Sequence, residues 1–351
     1  MYMARVVVGM SGGVDSAVTA FILKKMGYDV IGVTLKIWDG NSRCCEIDDA
    51  AAAAEVIGIP YYAVNAMGEF RRHVTEPFVQ DYVDGITPNP CVECNRYVKW
   101  DRMLSAADTY GAEYIATGHY ASIVELPNGR FTVTQADSIA KDQTYMVYKL
   151  TQGQLRRTLM PLGKLTKDEV RNIARAAGIA VSEKPDSQEI CFVTEGHYSE
   201  YIEDNYEGEL PGEGNFVDVD GNILGRHKGI THYTVGQRKG LGIAMGYPVF
   251  VKTIDPVNNV VVLGDENSVL SDVIYTRENN FMSIEGINDG EQIRARVKIR
   301  YHHPGEEAVL TMDGDDRIRI EFVKPVRAAT PGQSAVFYDE NGCVIGGGRI
   351  I

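Results

Sequence analysis

Over the first 200 residues, short apolar runs alternate with stretches whose apolar positions recur at helical spacing. Residues 5–10 read as a buried strand, and the segment beginning at Ala17, with Ala20 and Phe21 on one side, as a helix packed on a sheet. A second strand is predicted over 28–38, an Ala-rich helix over 48–57, a third strand over 60–64 and a helix over 69–83. After a Pro-rich loop at 86–90, residues 93–110 look helical and 112–117 form a fourth strand ending in Gly118 and His119. Thr166-Lys167-Asp168-Glu169 opens a further helix with a capping-box pattern, and Gly178 closes it. Strand and helix in alternation imply an α/β protein with a doubly wound parallel sheet, whose ligands sit beyond the carboxyl ends of the strands.

The acidic, Gly- and Pro-containing stretch 205–215 marks a domain boundary. Beyond it the period switches to two, and turn pairs such as Asp220-Gly221, Asp289-Gly290, Asp313-Gly314 and Asn341-Gly342 punctuate short strands. Weak helix signals at 236–241 suggest a small mixed linker module before a C-terminal β-barrel. The expected division is 1–205, a catalytic α/β domain; 206–275, a mixed linker domain; and 276–351, a barrel. No apolar run approaches the roughly 20 residues that a membrane helix needs, and residues 1–5 run straight into the first strand, so a cytoplasmic protein without a membrane partner is expected.

Charge refines this picture. The chain carries a net charge of −13 over 351 residues, which argues against a general nucleic-acid binder. Its distribution is uneven: residues 141–175 hold eight Lys/Arg against three Asp/Glu, and 195–220 hold nine acidic residues and no Lys or Arg. Arg294, Arg296, Lys298 and Arg300 alternate, which puts them on one face of a strand. An acidic protein with confined basic faces can grip one particular RNA, because only the faces that meet phosphate count.

The densest chemical signal is Ser11-Gly12-Gly13-Val14-Asp15-Ser16, lying between the first strand and the first helix. A strand, a glycine-rich turn and a helix start form an anion cradle of outward N–H groups, favoured further by the helix dipole. The Lys of a Walker A loop is missing. The pattern instead resembles the PP-loop of ATP pyrophosphatases, which hold the phosphates of ATP while a substrate is adenylated.

Six cysteines occur, at 44, 45, 91, 94, 191 and 343. In a cytosolic chain they read as chemistry or metal ligands rather than as staples. Cys91 and Cys94 form a C-x-x-C in a Pro-bounded loop leading into the helix expected from Glu93, where a helix N-terminus would make Cys94 a thiolate. Cys343 reads as a small buried hydrophobe, and Cys44-Cys45 as structural. His119, at the carboxyl edge of its strand, faces the expected nucleotide crevice. Arg238-Lys239 reads equally as an RNA contact or a solvated turn.

The Ser11–Ser16 loop is followed in order by residues 88–95, Ala116-Thr117-Gly118-His119-Tyr120, Lys141-Asp142-Gln143, residues 186–192, residues 236–242 and Pro331-Gly332-Gln333-Ser334. With these motifs the chain resembles the tRNA-specific 2-thiouridylases over nearly its whole length. The resemblance implies the adenine-nucleotide alpha-hydrolase (PP-loop) fold, a tRNA-uridine 2-sulfurtransferase, ATP with Mg²⁺, tRNA as substrate, and a cysteine desulfurase or sulfur-relay protein as donor. It implies Cys94 as nucleophile and Cys191 as persulfide carrier, linked in a disulfide as sulfur leaves. Gly9, Met10, Ser11, Gly12, Gly13, Val14, Asp15, Ser16, Leu35 and Gly118 would bind the nucleotide, with Asp15 near Mg²⁺ or the phosphates. Asn89, Pro90 and Cys91 would face the target base, and His119, Lys141, Asp142, Gln143, Arg300, Tyr301 and Gln333 would touch tRNA.

Many relatives have Asp where this chain has Cys91. Cys91, Cys94 and Cys191 could therefore hold three irons of a 4Fe–4S cluster whose fourth iron binds the transferred sulfide, an alternative equal in weight to the persulfide. Zinc fits less well, since a structural site wants four ligands. Two rivals use the same motifs: another adenylating PP-loop enzyme acting on a small carbonyl or carboxylate, and a non-catalytic iron–sulfur or redox sensor. The sensor leaves the phosphate loop unexplained.

Overall fold

The computed structural model describes residues 3–38, 46–180, 190–193 and 196–351. Cys44, Cys45 and residues 186–189 of the Cys191 motif lie outside them. Strands β1 (Arg5–Gly9), β2 (Asp29–Lys36), β3 (Tyr61–Asn65), β4 (Tyr114–Ala116), β5 (Ala121–Glu125), β6 (Phe131–Gln135) and β7 (Thr158–Leu159) build the first part of the fold. β1, β2, β3, β4 and β7 form one parallel sheet in the order β3-β2-β1-β4-β7. Val7 faces one hydrophobic core while Val6 and Val8 face another, and all three are fully buried. Helices cover both faces, which is why β1 reads as an unbroken apolar run. The doubly wound sheet expected from the alternation is therefore present.

The chain winds outward from β1 to β3 and then returns to put β4 on β1's other side. That reversal creates a crevice at the carboxyl ends of β1 and β4, the usual ligand position in such sheets. The helix Val14–Lys25 leaves this crevice, and Gly118 follows β4 into it. Two features were not legible in the pattern: the two-residue strand β7 and the antiparallel hairpin β5–β6. β7 is too short to show a period, and the hairpin lies where only helices and parallel strands were expected.

The middle module is a four-stranded sheet, β10-β11-β8-β9, from β8 (Gly214–Val217), β9 (Ile223–His227), β10 (Phe250–Asp255) and β11 (Val260–Gly264). The weak helix expected over 236–241 is absent. Gly236, Gly240 and Gly242 sit at φ +86°, +78° and +68°, so left-handed turns occupy the segment instead. A closed six-stranded barrel follows, from β12 (Leu270–Phe281), β13 (Ile293–Lys298), β14 (Glu306–Met312), β15 (Ile318–Arg327), β16 (Ser334–Tyr338) and β17 (Val344–Ile350). Alternate residues such as Ala295 and Val297, Ala308 and Leu310, and Ile318 and Ile320 fill its interior. β12 runs across position 275/276. Among the described residues no helix is long and apolar enough to cross a membrane.

Candidate functional site

The phosphate loop is organised by its own serines. Ser16 Oγ accepts from the Ser11 backbone N–H at 3.1 Å and donates to Gly13 O at 3.0 Å, closing the turn at the helix start. Gly12 has φ +82°, and a Cβ there would lie 2.7 Å from Glu46, so only glycine fits. A Cβ at Gly13 would meet nothing nearer than Ser11 Oγ at 3.5 Å, leaving its backbone open to an approaching phosphate. From the other side, Gly118 presses on the helix start: a Cβ there would lie 2.8 Å from the Asp15 carbonyl carbon and 2.9 Å from Ser16 N. Leu35, near the end of β2, is buried beside the crevice.

A residue that sequence reasoning did not assign completes this site. Lys167 Nζ lies 2.9 and 2.8 Å from the two carboxylate oxygens of Asp15, and the Tyr120 hydroxyl donates to Asp15 Oδ1 at 2.8 Å. The ammonium missing from the loop is thus supplied from 152 positions downstream. Its only sequence signal was the capping box, Thr166 with Glu169, which the structure contains. The loop fits a nucleotide triphosphate. Asp15 is the carboxylate that would hold Mg²⁺, with phosphate oxygens supplying further ligands.

The C-x-x-C segment begins one turn earlier than expected. The helix starts at Pro90, continues through a π-helical stretch Cys94–Lys99, and runs on as Trp100–Thr109. Cys94 is consequently one turn inside the helix and 5% exposed, while Cys91 occupies the first turn and is exposed. The proximity of Cys94 to a helix N-terminus, expected from the sequence, is corrected: Pro90 takes the N1 position, where its missing N–H and fixed φ suit a helix start. π-Helical turns recur at functional sites.

This helix meets the carboxyl end of β4 through Trp100. Trp100 packs on His119, ring centroids 5.4 Å apart, and His119 adjoins Gly118, which abuts Asp15 and Ser16. Cys94 precedes Trp100 by six residues, about 9 Å along a helix axis. Cys191 is half-buried and packs against the same core that contains Cys94 and Phe192. Cys343 is buried as expected, and burial pushes its thiol pKa up.

His119 Nδ1 lies 2.8 Å from Thr117 Oγ1. Burial, then nearby Lys99, pushes its pKa down to about 3, so the ring is neutral at physiological pH. Unfolded histidine titrates near 6.5, so the unfolded chain takes up a proton that the folded one refuses until about pH 3. Stability should therefore fall as pH drops below about 6.5. His119→Gln should flatten that slope in urea melts at pH 7 and pH 5. An unchanged slope would place the titration elsewhere.

The remaining candidates are spread along the seam between the α/β domain and the barrel. Asp142 is buried and accepts from Thr144 Oγ1 at 2.8 Å, and Gln143 Oε1 accepts from Tyr120 N at 2.9 Å. Beside them opens a cavity of about 320 Å³ lined by Asp142, Arg296, Lys298, Tyr301, His302 and His303. The two histidines were not singled out from the sequence. Gln333 Nε2 donates to Thr87 O and Pro88 O at 3.1 and 3.0 Å. Arg300 differs from its neighbours on the basic face: its Nη2 donates to Val235 O, Ala328 O and Thr330 Oγ1. Arg300→Met should therefore lower thermal stability, by about 1–3 kcal/mol for stranded buried acceptors. A melting temperature equal to the parent's would remove this joint role.

Among the described residues, no three His, Cys, Asp or Glu side chains form a group able to hold a metal ion. Cys91, Cys94 and Cys191, one exposed, one buried and one half-buried, do not fit an iron–sulfur cluster as they are arranged.

Three family models match in succession: a tRNA methyl transferase HUP domain over residues 4–195, a tRNA methyl transferase PRC-barrel domain over 200–265, and an aminomethyltransferase beta-barrel domain over 271–350. The tRNA-specific 2-thiouridylase of Lachnoclostridium phytofermentans is 52% identical, covering 99% of this chain and 100% of its own. Its counterpart from Acetivibrio thermocellus is 48% identical over 99% of each. A solved U34-tRNA thiolase from Methanococcus maripaludis, with its 4Fe–4S cluster, covers 53% of this chain and 60% of its own at 20% identity and a TM-score of 0.37, too distant to inform the chemistry. With about half of all positions shared end to end with the 2-thiouridylases, the chain belongs to the tRNA-specific 2-thiouridylase family.

Proposed function

We propose that this protein is a tRNA-uridine sulfurtransferase that replaces the C2 oxygen of the wobble uridine with sulfur at the expense of ATP, in the cytoplasm. The observation that carries the reading is the contact chain from Ser16 and Asp15 through Gly118 and His119 to Trp100. It supports the reading by linking the Gly-rich loop to the helix that bears Cys91 and Cys94. The family models carry methyl transfer in their descriptions, but cysteines beside an ATP cradle are equipment for sulfur transfer.

Carbon 2 of uridine is a poor electrophile without a leaving group. In the proposed reaction its oxygen attacks the α-phosphate of ATP, and pyrophosphate departs into the loop spanning Gly9 to Ser16. Lys167 and the helix start offset the phosphate charge, and Mg²⁺ held at Asp15 would supply further charge neutralisation. Asn89, Pro90 and Cys91 flank the base. The terminal sulfur of a Cys191 persulfide then adds to C2, and AMP leaves with the former uridine oxygen. Cys94 thiolate attacks Cys191 sulfur, forming a Cys94–Cys191 disulfide and freeing the thiocarbonyl as the electron pair returns to the transferred sulfur. A dithiol reductant reopens the disulfide. A desulfurase or relay protein reloads Cys191.

Incubating the protein with ATP and unmodified tRNA tests this directly. Pyrophosphate release should require tRNA, and nucleoside mass spectrometry should find 2-thiouridine once a persulfide source is present. Release driven by a small carboxylic acid in place of tRNA would favour a different adenylating enzyme.

A further inference from the structure

We infer that the C-terminal barrel sets the position of the cysteine segment, through Gln333 at one end of that segment and through Glu278 and Lys149 at the other. The inference rests on the sulfur-transfer reading of Cys94 and adds positioning residues to it.

At the entry to the segment, the barrel's Pro331–Gln333 turn grips residues 86–88. Thr87 N donates to Pro331 O at 3.0 Å, and the Gln333 amide donates to Thr87 O and Pro88 O. Gly332, at φ +91°, lies so close that a Cβ would sit 2.3 Å from Ile86 Cγ2 and 2.7 Å from Thr87 O. The next residues are Asn89, Pro90 and Cys91, so three hydrogen bonds to the main chain, two of them from the Gln333 side chain, hold the backbone immediately before the C-x-x-C.

Inside the motif, Glu93 Oε1 accepts from Lys149 Nζ at 2.7 Å, and Lys149 also reaches Glu278 Oε2 at 3.2 Å. The Lys149 side chain is 7% exposed. Burial works against its charge, yet Tyr148, Glu93 and Glu278 raise its pKa overall, so the ammonium persists as a bridge. Glu278 has φ +52° where β12 slips register against β17. That conformation is unfavourable for a residue with a Cβ and is kept only where neighbours hold it. Here the Asp316 carboxylate accepts its N–H at 2.9 Å, and Arg349 links it to Asp81, at 3.9 Å and 2.6 Å respectively.

At the two ends of this segment, Thr87 Oγ1 and Asn95 Oδ1 are buried without a hydrogen-bond partner. Buried polar atoms are rarely left so. They flank Cys91 and Cys94, and a segment held from outside can keep such polar atoms unpaired.

If the barrel positions the cysteines, loosening it harms the sulfur step and not the adenylation step. Activated uridine then waits for sulfur and is lost to water, so pyrophosphate released per 2-thiouridine formed rises above one. Gln333→Leu removes one grip, and Glu278→Gln, whose side chain is 56% exposed, removes charge from the other at constant shape. Single-turnover thiolation should fall about 10- to 100-fold in each, the scale on which small misplacements act. Pyrophosphate release should stay within about twofold of the parent in Glu278→Gln, and in Gln333→Leu, whose side chain is also a candidate tRNA contact, the ratio of the two products is the readout. Lys149→Arg, which keeps the bridge, should stay near the parent ratio. General destabilisation would lower both products together and leave the ratio at one. So would a role of Gln333 confined to tRNA affinity, and either result overturns the inference. Should Gln333→Leu not fold, Glu278→Gln decides alone. Parent protein that makes no 2-thiouridine would instead sink the functional reading beneath.

Discussion

Replacing Cys191 by serine should reduce sulfur incorporation at least about 10³-fold while leaving tRNA-dependent pyrophosphate release within about twofold of the parent. The separation follows from the layout of the site. In the proposed reaction adenylation draws on the loop and Lys167, whereas Cys191 packs against the hydrophobic core that contains Cys94. Cys94→Ser should spare adenylation equally but leave sulfur bonded to Cys191 and to the base, a covalent adduct visible as a shifted protein band that a reducing agent collapses. Cys91→Ser, by contrast, should retain thiolation if sulfur travels as a persulfide, because the exposed Cys91 takes no part in that exchange. Full thiolation by Cys191→Ser would end the two-cysteine scheme. Loss with Cys91→Ser, accompanied by loss of protein-bound iron, would revive the cluster.

Gly118→Val should slow the other half of the reaction sharply. A Cβ at position 118 would come within 3.0 Å of three atoms of Asp15 and Ser16, two of them backbone. Backbone at the start of a sheet-packed helix cannot yield as a flexible side chain would, so the cradle opens instead. Displacing preorganised charge-stabilising groups costs about 10²–10³ in rate, and pyrophosphate release should fall by that factor with tRNA affinity retained. Normal release by Gly118→Val with unchanged ATP affinity would show that the close approach is irrelevant to phosphate binding. Lys167→Met should act in the same direction, through loss of the cation that faces Asp15 at 2.8 Å.

The phosphate loop was readable because its function is local. Consecutive residues supply the turn, the helix start and the hydroxyls, so six letters contain the geometry. The parallel sheet was readable from alternating periods for the same reason. Errors arose where local signals were weak or were overridden. Residues 236–241 contain acceptable helix formers, but glycines at positive φ turn the chain instead. Cys94 reads as a helix start because the helix is expected from Glu93, yet Pro90 has already begun it. Arg300 continues the alternation of Arg296 and Lys298 in the sequence but lies past the end of β13, and only its neighbours reveal that it ties Val235 to Ala328.

By itself the sequence determined the fold class, the nucleotide loop, the cysteine motif and the family. All of these reside in contiguous residues or in their order along the chain. Tertiary structure alone decided which distant groups meet: Lys167 and Asp15, Trp100 and His119, Gln333 and the backbone before the C-x-x-C, and Glu278 and Glu93 through Lys149. Such pairings join residues separated by up to 246 positions. They depend on how helices, sheet and barrel pack, and side-chain pattern along one element carries no record of which other element it will meet.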